Sequence, residues 1–334
     1  MLRIAMLGMA HVHANGYGDH VMKHAEAKIQ CIWDDDPARG KAASERFNAP
    51  WYADLDKVCS SSEVDAVVIN APTSQHPEVM KAALKYKKHI YTEKALTVKT
   101  VDADEIVKLV NESGIKFMIS LPDRTRPEIL FMKRVLDKGL LGKVTLMRAR
   151  RAHSAALDKW FHDGSAWFAE EKLAGGGALF DLGCHTTDVM RWFMGPPKSM
   201  QAMIQTFSGA YPIDDNTVAT IEFKNGALGI LDTSWVQRAG PSPYEIYGTD
   251  GYVGFGTAHG SGLVLSSTHL KNDDIQGYLS PINLPKAPPV PMDQWISAIL
   301  HGTPMTITVE DGRNLTELLE GTYTAARTGK TLTF

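Results

Sequence analysis

The sequence is poor in cysteine, in excess charge and in long apolar runs. Its three cysteines, Cys31, Cys59 and Cys184, have spacings that fit neither a disulfide framework nor a zinc site. The formal net charge of −3 gives no excess of positive charge with which to bind nucleic acid or an anionic membrane. No stretch approaches the roughly 20 apolar residues of a membrane span, and the apolar start is too short for a signal peptide. We therefore expect a cytoplasmic protein with no metal, no nucleic-acid partner and no membrane contact.

Length and composition predict two domains. The 334 residues exceed one average domain, and 44% of them are hydrophobic, which is enough to bury a sizeable core. Up to residue 122, short apolar runs alternate with longer amphipathic segments, and this βαβ alternation predicts a doubly wound parallel sheet. The strands predicted for this sheet are 3–7, 28–33, 65–70, 89–91 and 116–120.

A different pattern begins at Lys143, where β-type runs prevail and Asn225-Gly226 reads as a hairpin turn. These runs predict one large, mostly antiparallel sheet with helices on one face and the other face exposed. The expected domains are therefore 1–122 and 123–334. In the second, the predicted strands are 143–153, 198–207, 217–224, 227–236, 244–248 and 251–255, and the predicted helices are 127–138, 178–194 and 311–328.

The first predicted strand leads into a loop from Gly8 to His13. At this position a dinucleotide-binding fold requires a tight turn and a close approach of the backbone to pyrophosphate. Only the first glycine of the G-x-G-x-x-G pattern is present, because Ala10 and His13 take the second and third positions, with His11 between them. Taken alone, the loop indicates a generic strand-to-helix turn as readily as a cofactor site.

The second predicted strand ends in three consecutive aspartates. Asp34 follows Gly8 by 26 residues, close to the spacing at which an acid bonds a ribose 2′-hydroxyl and repels a 2′-phosphate. Asp36 is the candidate N-cap of a helix that begins at Pro37, which leaves Asp34 for the ribose. The pattern therefore favours NAD over NADP. Arg39 argues the other way, because an arginine near this position accommodates the 2′-phosphate of NADP.

Two further predicted strands end in polar groups. Glu93 and Lys94 follow the strand at 89–91, so Lys94 is expected at the ligand-binding edge of the sheet. The alternative for this dipeptide is an exposed ion pair. The strand at 65–70 ends in a segment that is typical either of a ligand-binding edge or of an ordinary helix start; its polar and proline positions are Asn70, Pro72 and His76.

The stretch 175–195 concentrates acid/base groups on one predicted helix. Three glycines suggest a flexible entry to it, and Asp181, His185 and Asp188 then follow at spacings of four and three. A carboxylate–imidazole pair suits general acid/base chemistry, whereas the alternative is a common helix-surface ion pair. The stripe predicted to face a core is Ala178, Leu182, Thr186, Val189 and Phe193.

Residues 153–170 combine aromatic rings with hydrogen-bonding groups, which suits a polyol or sugar ring. The alternative is that the tryptophans are plain core residues. The candidates for substrate contact in this stretch are His153, Trp160 and Trp167.

In order along almost the whole chain, these motifs resemble the Gfo/Idh/MocA oxidoreductases, which include glucose–fructose oxidoreductase and inositol dehydrogenases. That family carries Asn-x-Pro…His, Glu-Lys-Pro, Gly-Gly-Gly…Asp-x-Gly-x-His-x-x-Asp, a late Asn-Gly turn and a terminal Arg-x-Gly-Lys. The sequence departs from the pattern at Ala95, which replaces the proline, and in the glycine-poor loop. The matching residues are Asn70, Pro72, His76, Glu93, Lys94, Gly175–Gly177, Asp181, Gly183, His185, Asp188, Asn225, Gly226, Arg327, Gly329 and Lys330.

Motifs and resemblance together lead us to expect an α/β protein with a Rossmann domain and a C-terminal substrate domain. The resemblance implies that the exposed sheet face forms a homodimer or homotetramer. Substrate contacts are expected from Lys94, Asp181 and His185 in addition to the 153–170 candidates. The expected NAD-binding set is Gly8, Ala10, His11, His13, Asp34, Asn70, Pro72, His76 and Glu93.

The expected activity is an NAD(H)-dependent dehydrogenase or reductase that acts on a hydroxyl or keto group of a sugar, sugar derivative or cyclic polyol. His185 is the candidate acid/base, oriented by Asp181, and Lys94 would bond the reacting oxygen, although the roles of His185 and Lys94 can be exchanged. Two alternatives are a redox-neutral glycoside hydrolase that holds NAD tightly and a non-catalytic sugar-sensing regulator. The presence of Lys94, Asp181 and His185 together argues against a regulator, which would need no acid/base groups.

Overall fold

The computed structural model describes residues 1–257, 262–270 and 283–334. The chain divides into two compact units. Unit 2 comprises Leu121–Lys159, Gly176–Pro288 and Glu317–Phe334. Unit 1 comprises Met1–Ser120, Trp160–Gly175 and Pro289–Thr316. The last two segments of unit 1 were expected in the C-terminal domain, but their contacts are with the N-terminal sheet and its helices.

Unit 1 is built on a six-stranded parallel sheet with the order β3-β2-β1-β4-β5-β6. This is the order of the doubly wound dinucleotide-binding fold, in which ligands bind beyond the carboxyl ends of the strands. β1 and β4 are nearly continuous apolar runs because both faces of the sheet are covered. The prediction of a doubly wound sheet is confirmed; its bounds are β1 Leu2–Leu7, β2 Ala27–Trp33, β3 Trp51–Tyr52, β4 Ala66–Ile69, β5 His89–Thr92 and β6 Phe117–Ile119.

Unit 2 is built on an eight-stranded sheet with the order β13-β12-β11-β7-β10-β9-β8-β14. Only β7 and β10 pair in parallel among the described strands of this sheet, so the prediction of a mostly antiparallel sheet is confirmed. The strands β13 and β14 were not predicted. The bounds are β7 Val144–Ala152, β8 Pro197–Gln205, β9 Asn216–Phe223, β10 Leu228–Ser234, β11 Tyr244–Gly248, β12 Gly251–Phe255, β13 Leu263–Ser267 and β14 Leu332–Thr333.

The helices follow the local signals of the sequence. Asp36 is the N-cap of α2 and accepts the backbone N–H groups of Ala38 and Arg39, with Pro37 at the first helical position, as expected. No helix within the described ranges is long and apolar enough to cross a membrane. The bounds are α1 Ala14–Lys23, α2 Pro37–Phe47, α3 Leu55–Ser60, α4 His76–Lys85, α5 Thr100–Ser113, α6 Pro127–Asp137, α7 Glu171–Ala174, α8 Cys184–Met194, α9 Pro291–His301 and α10 Val309–Thr328.

The helix predicted over 178–194 consists of two segments. A π-helical turn, Leu179–Gly183, precedes α8. A π turn holds more residues than an α turn and therefore rotates the positions that face the core. The predicted core stripe is consequently wrong at Leu182 and Phe193, which are half-buried, while Leu179 and Met190 are fully buried.

A buried ion pair fixes α8 within unit 2. Arg124 donates two hydrogen bonds to Asp188, from Nε to Oδ2 at 2.9 Å and from Nη2 to Oδ1 at 2.7 Å. The two side chains are only 5% and 2% exposed, and the guanidinium also lies 5.0 Å from the centre of the Trp192 ring. Asp188 was singled out for its place one turn after His185. Its bidentate bond to Arg124 gives it a structural role instead.

We predict that Arg124→Ala lowers the free energy of unfolding by about 3–5 kcal/mol, because it leaves a buried carboxylate without its bidentate partner. Lys198→Ala is the matched control, since it removes an exposed ion pair with Glu222 and is expected to cost about 1 kcal/mol or less. Denaturant midpoints monitored by circular dichroism measure both changes. Equal midpoints for the two variants would contradict the prediction.

Candidate active site

The loop after β1 has the tight geometry of a cofactor-binding turn. Gly8 has φ of +82°, and a Cβ atom there would lie 2.7 Å from the backbone N of Ala71. No larger residue fits this position, because both the backbone conformation and the neighbouring chain exclude a side chain. The loop then passes Ala10 and His11 and enters α1 with His13 as the N-cap. The turn thus has the backbone conformation for which the first glycine of the pattern is needed. Ala10 and His13 occupy the other two glycine positions.

A fully buried carboxylate, Glu93, lies under this loop at the carboxyl end of β5. Its Oε1 is 2.8 Å from Nδ1 of His13, 3.7 Å from Nδ1 of His11 and 2.5 Å from the hydroxyl of Tyr17. Its Oε2 accepts the backbone N–H of Lys94 at 2.9 Å. Burial alone raises the pKa of Glu93, but the electrostatic interaction with His11 and the hydrogen bond from His13 outweigh burial and hold that pKa well below its usual range. Glu93 is therefore an ionised anchor for the loop.

Tyr17 belongs to the same network and was not predicted as a site residue. Its hydroxyl bonds Glu93 and also lies 2.7 Å from Oγ of Ser120, at the end of β6. Burial raises the pKa of Tyr17 well above its ordinary value, so it remains a neutral donor. The signal available in the sequence is the spacing of four residues between His13 and Tyr17 at the start of a helix.

Asp34 lies where the sequence analysis expected it, but it is already engaged. The carboxylate is fully buried, and it accepts the backbone N–H of Met9 at 2.7 Å and that of Asp36 at 2.7 Å. The guanidinium of Arg39 covers it, 2.9 Å from Oδ1, and also reaches Asp35 at 2.7 Å. Arg39 is thus held by carboxylates at the position where a ribose 2′ substituent is recognised in this fold.

The end of β4 offers a buried acceptor. Asn70 is fully buried, and its Oδ1 has no hydrogen-bond partner among the residues that the structure describes. An unsatisfied buried oxygen costs free energy, so this atom fits a donor supplied by a bound ligand. The backbone oxygen of Asn70 accepts the N–H of His11 at 3.1 Å, which ties the strand end to the loop. Pro72 follows and precedes a short 3₁₀ turn, Thr73–Gln75.

His76 supports the backbone after Lys94. Its ring is buried, with Nδ1 2.9 Å from the carbonyl oxygen of Ala95 and Nε2 3.1 Å from that of Ala71. Burial lowers the pKa of His76, which keeps the ring neutral. The predicted contact of His76 with the cofactor stays a prediction. Lys94 itself is 5% exposed at the carboxyl end of β5, and its peptide bond to Ala95 is cis.

The tryptophans proposed for substrate contact lie in unit 1. Trp167 is buried, stacks on Phe168 with ring centres 4.0 Å apart, and donates its indole N–H to the carbonyl oxygen of Ala10 at 2.9 Å. It therefore packs against the cofactor loop, as the core alternative suggests. Trp160 is 49% exposed. The substrate roles of both tryptophans stay predictions.

In unit 2 the glycine entry to the π turn is closely packed rather than flexible. A Cβ atom at Gly177 would lie 1.9 Å from the carbonyl oxygen of Asp214, and one at Gly176 would lie 2.2 Å from the hydroxyl of Tyr323. The Oδ1 atom of Asp214 accepts both the N–H of Gly177 and the hydroxyl of Tyr323, each at 2.8 Å. The expectation of a flexible entry is therefore wrong, since these glycines exist to allow close contact.

Asp181 is oriented by partners that the sequence analysis did not identify. Its Oδ2 accepts the indole N–H of the fully buried Trp235 at 3.1 Å and lies 3.9 Å from Nε2 of His153. Nδ1 of His153 accepts the backbone N–H of Ala155, so the neutral ring carries its proton on Nε2 and directs it toward Asp181. His185 is half-buried in the first turn of α8. The orientation of His185 by Asp181 stays a prediction.

Comparison with known proteins assigns both units to one family. Residues 2–121 match the model of the oxidoreductase family with the NAD-binding Rossmann fold, and residues 129–254 match the model of the GFO/IDH/MocA C-terminal domain. The chain belongs to the Gfo/Idh/MocA family of oxidoreductases. Its first unit is accordingly an NAD-binding Rossmann domain, and the predictions of family and cofactor are confirmed.

Individual Gfo/Idh/MocA proteins are similar over most of the chain. The scyllo-inositol 2-dehydrogenase (NAD(+)) of Bacillus subtilis is 26% identical over 288 residues, which span 82% of this chain and 79% of that protein. GenD2 from gentamicin A biosynthesis, solved with NAD, has a TM-score of 0.80 at 25% identity and covers 100% of this chain and 96% of its own. Levoglucosan dehydrogenase, solved with NADH and levoglucosan, has a TM-score of 0.82 at 21% identity. The match covers 99% of this chain and 98% of that one.

The residues of unit 1 fit the cofactor of this family. The turn at Gly8 allows a close backbone approach, the Oδ1 atom of Asn70 fits a donor, and Asp34 lies at the end of β2. The ring of His13 is half-exposed above Glu93. These residues would help to hold the dinucleotide.

We predict that the protein prefers NAD and that Asp34→Ser shifts the ratio of NADP to NAD affinity by about 10- to 100-fold toward NADP. The change removes a repulsive carboxylate and releases Arg39 for a charge-assisted bond to the 2′-phosphate. Dissociation constants from protein fluorescence measure the shift. Asp56→Asn, which alters a surface acid paired with Lys85, is the matched control. A wild-type preference for NADP would contradict this account of Asp34.

Proposed function

We propose that the protein is an NAD(H)-dependent dehydrogenase or reductase that acts on a hydroxyl or keto group of a sugar, a sugar derivative or a cyclic polyol. The observation that carries this proposal is the position of Lys94, a buried ammonium group at the carboxyl end of β5 in an NAD-binding sheet. A dinucleotide-binding regulator has no need of a buried cation there. The names of the similar dehydrogenases, which refer to an inositol and to levoglucosan, support the substrate class.

The chemistry follows from the weakness of a sugar hydroxyl as an acid. When bound, NAD supplies the hydride acceptor. In the oxidation direction, the hydroxyl must also lose a proton, which it does not do unaided near neutral pH. We assign His185 as the group that takes this proton and Lys94 as the donor that stabilises the developing charge on oxygen. In the reduction direction the same groups return the proton to the carbonyl oxygen.

The surroundings of Asp181 support its participation in the same reaction. A carboxylate that accepts from the buried indole of Trp235 is fixed in orientation, and fixed acceptors bind sugar hydroxyls with specificity. His153 adds a second polar group 3.9 Å from this carboxylate. We assign Asp181 and His153 to substrate binding, with Asp181 also orienting the acid/base group.

We further propose that the exposed face of the unit 2 sheet assembles two or four copies of the chain. Along β9, Ala219, Ile221 and Phe223 are buried, whereas Val218 on the opposite face is 45% exposed. Met203, which pairs with Val218 across β8 and β9, is 79% exposed. Apolar groups side by side on an open sheet are typical of an association surface.

The test of the activity is a panel of sugars, inositols and glycosides with NAD, followed by absorbance of NADH. Lys94→Ala and His185→Ala are each expected to lower turnover by about 10²- to 10⁴-fold, because each removes a positioned proton-transfer or charge-stabilising group. Asp181→Asn is expected to have a comparable or smaller effect. The double variant Lys94→Ala/His185→Ala should lose much less than the product of the two single losses, as groups acting in one transition state are not additive.

His301→Gln is the matched control for this series, since His301 is half-exposed and pairs with Glu26. It is expected to leave turnover unchanged. Glycoside cleavage without net NADH formation would favour a redox-neutral hydrolase, and the absence of turnover on every substrate would favour a sensor. Unchanged turnover in His185→Ala would remove His185 from the mechanism.

For the assembly, we predict a mass at least twice the 36.7 kDa of the chain in light scattering at micromolar concentration. Met203→Lys should lower the mass toward that of the monomer, because a charge cannot be buried in an apolar interface without a partner. Val101→Lys is the control, as Val101 is 72% exposed on α5 in unit 1. A monomeric wild-type protein would contradict the proposed assembly.

A further inference from the structure

Two histidines of the β1–α1 loop converge on one buried carboxylate. Nδ1 of His13 lies 2.8 Å from Oε1 of Glu93, and Nδ1 of His11 lies 3.7 Å from the same oxygen. One ligand atom from each of the three side chains can be chosen so that all lie within 4.8 Å of one another. Among the residues that the structure describes, no other group of three or more His, Cys, Asp or Glu side chains has such a spacing. Two imidazoles and a carboxylate form a ligand set that is typical of zinc.

The separations of the ligand atoms suit an ion of this size. A tetrahedral ion with metal–ligand bonds of about 2.1 Å places its ligand atoms roughly 3.4 Å apart. The distances of 2.8 Å and 3.7 Å from Oε1 of Glu93 lie on either side of that value. The side chain of His13 is 52% exposed, so its ring can turn to open the shorter distance without disturbing the core.

The electron pairs that a metal requires are present on these side chains. Nδ1 of His11 accepts the backbone N–H of His13 at 3.2 Å, so this nitrogen carries a lone pair. Nδ1 of His13 donates to the carboxylate of Glu93, which only accepts. A metal ion would take the place of that shared proton, which passes to the solvent.

Neighbouring groups fix two of the ligands in place. The hydroxyl of Tyr17 lies 2.5 Å from Oε1 of the carboxylate, and the backbone N–H of Lys94 donates to Oε2 at 2.9 Å. The ring of His11 is 3% exposed and packs against Trp167 and Phe168, with ring centres 5.9 Å and 5.2 Å apart. Hydrogen bonds to a ligating carboxylate and an apolar surround both strengthen metal binding, because they orient the ligands before the ion arrives.

We propose that His11, His13 and Glu93 bind one divalent transition-metal ion of the zinc class, which would tie the β1–α1 loop to β5. Three protein ligands leave a fourth position for water. The sequence analysis expected no metal because the cysteine spacings fit no zinc site, but this ligand set needs no cysteine. The inference does not depend on the proposed activity, since it concerns the protein without its cofactor.

The test is a zinc titration of the wild-type protein, freed of metal with EDTA, in competition with a chromophoric zinc chelator. NAD is left out because the dinucleotide and the ion approach the same loop. We expect one ion per chain and a loss of affinity of about 100-fold or more in His13→Ala, since even changes outside the ligand set cost about 10- to 100-fold. Zinc should also raise the melting temperature of the wild-type protein, because it binds the folded state, and raise that of His13→Ala much less.

His20→Ala is the matched control, because His20 lies on α1 and pairs with Asp293, outside the proposed ligand set. It should bind zinc as the wild-type protein does, and circular dichroism checks that both variants are folded. Failure of the wild-type protein to bind one equivalent of zinc, equal affinities in wild type and His13→Ala, or an equal loss in His20→Ala would each overturn the inference. NAD binding and turnover are measured separately, so none of these results would affect the proposed activity.

Discussion

The ionised carboxylate of Glu93 is the constraint on which the ligand-binding edge of unit 1 depends. A buried charge is tolerated only when donors surround it. Those donors come from the β1–α1 loop, from Tyr17 on α1 and from the peptide N–H of Lys94. One side chain therefore fixes where the cofactor loop lies, how α1 begins and where the lysine emerges from β5. Loss of any of these partners affects the others, because they share one acceptor.

In unit 2, buried carboxylates that accept hydrogen bonds from separate segments also hold those segments together. Asp214 joins the glycine segment to α10 through Gly177 and Tyr323, and burial raises its pKa. Asp188 joins α8 to the segment that contains Arg124. The segment from Gly177 through α8 is therefore held by two buried carboxylates, Asp214 and Asp188, while Asp181 between its two contact points accepts from Trp235. Rigid support of this kind would keep His185, the proposed acid/base group, within the small tolerances that catalysis requires.

Much of the fold could be predicted from the sequence because its signals are local. The apolar runs of the parallel strands and the Asp36-Pro37 helix start are confirmed at nearly their predicted positions. The strands β3 and β14 were missed because two residues carry no periodicity. The π turn at Leu179–Gly183 was missed because the sequence pattern is read at 3.6 residues per turn, and nothing local marks the inserted residue.

The site was predictable in its residue types and not in their partners. Asp34, Glu93 and Asp181 were identified from spacing and from family motifs. Arg39, which binds Asp34, lies only five residues along the chain. Tyr17 and Trp235, which bind Glu93 and Asp181, lie 76 and 54 residues away, at separations that no local pattern encodes. Lys94 and His185 could be named in the same way. Their assignment to one reaction rests on chemistry rather than on sequence spacing.

The close packing at Gly176 and Gly177 limits how the substrate preference of this protein can change. A carbonyl oxygen and a tyrosine hydroxyl occupy the space where their side chains would begin. Random substitution at these two positions would therefore yield misfolded protein rather than new specificity. In the proposed site, variation would fall on side chains that already project from the framework, such as His153, which is proposed to bind substrate. An engineer who wishes to redirect the enzyme should diversify such positions and leave the glycine segment unchanged.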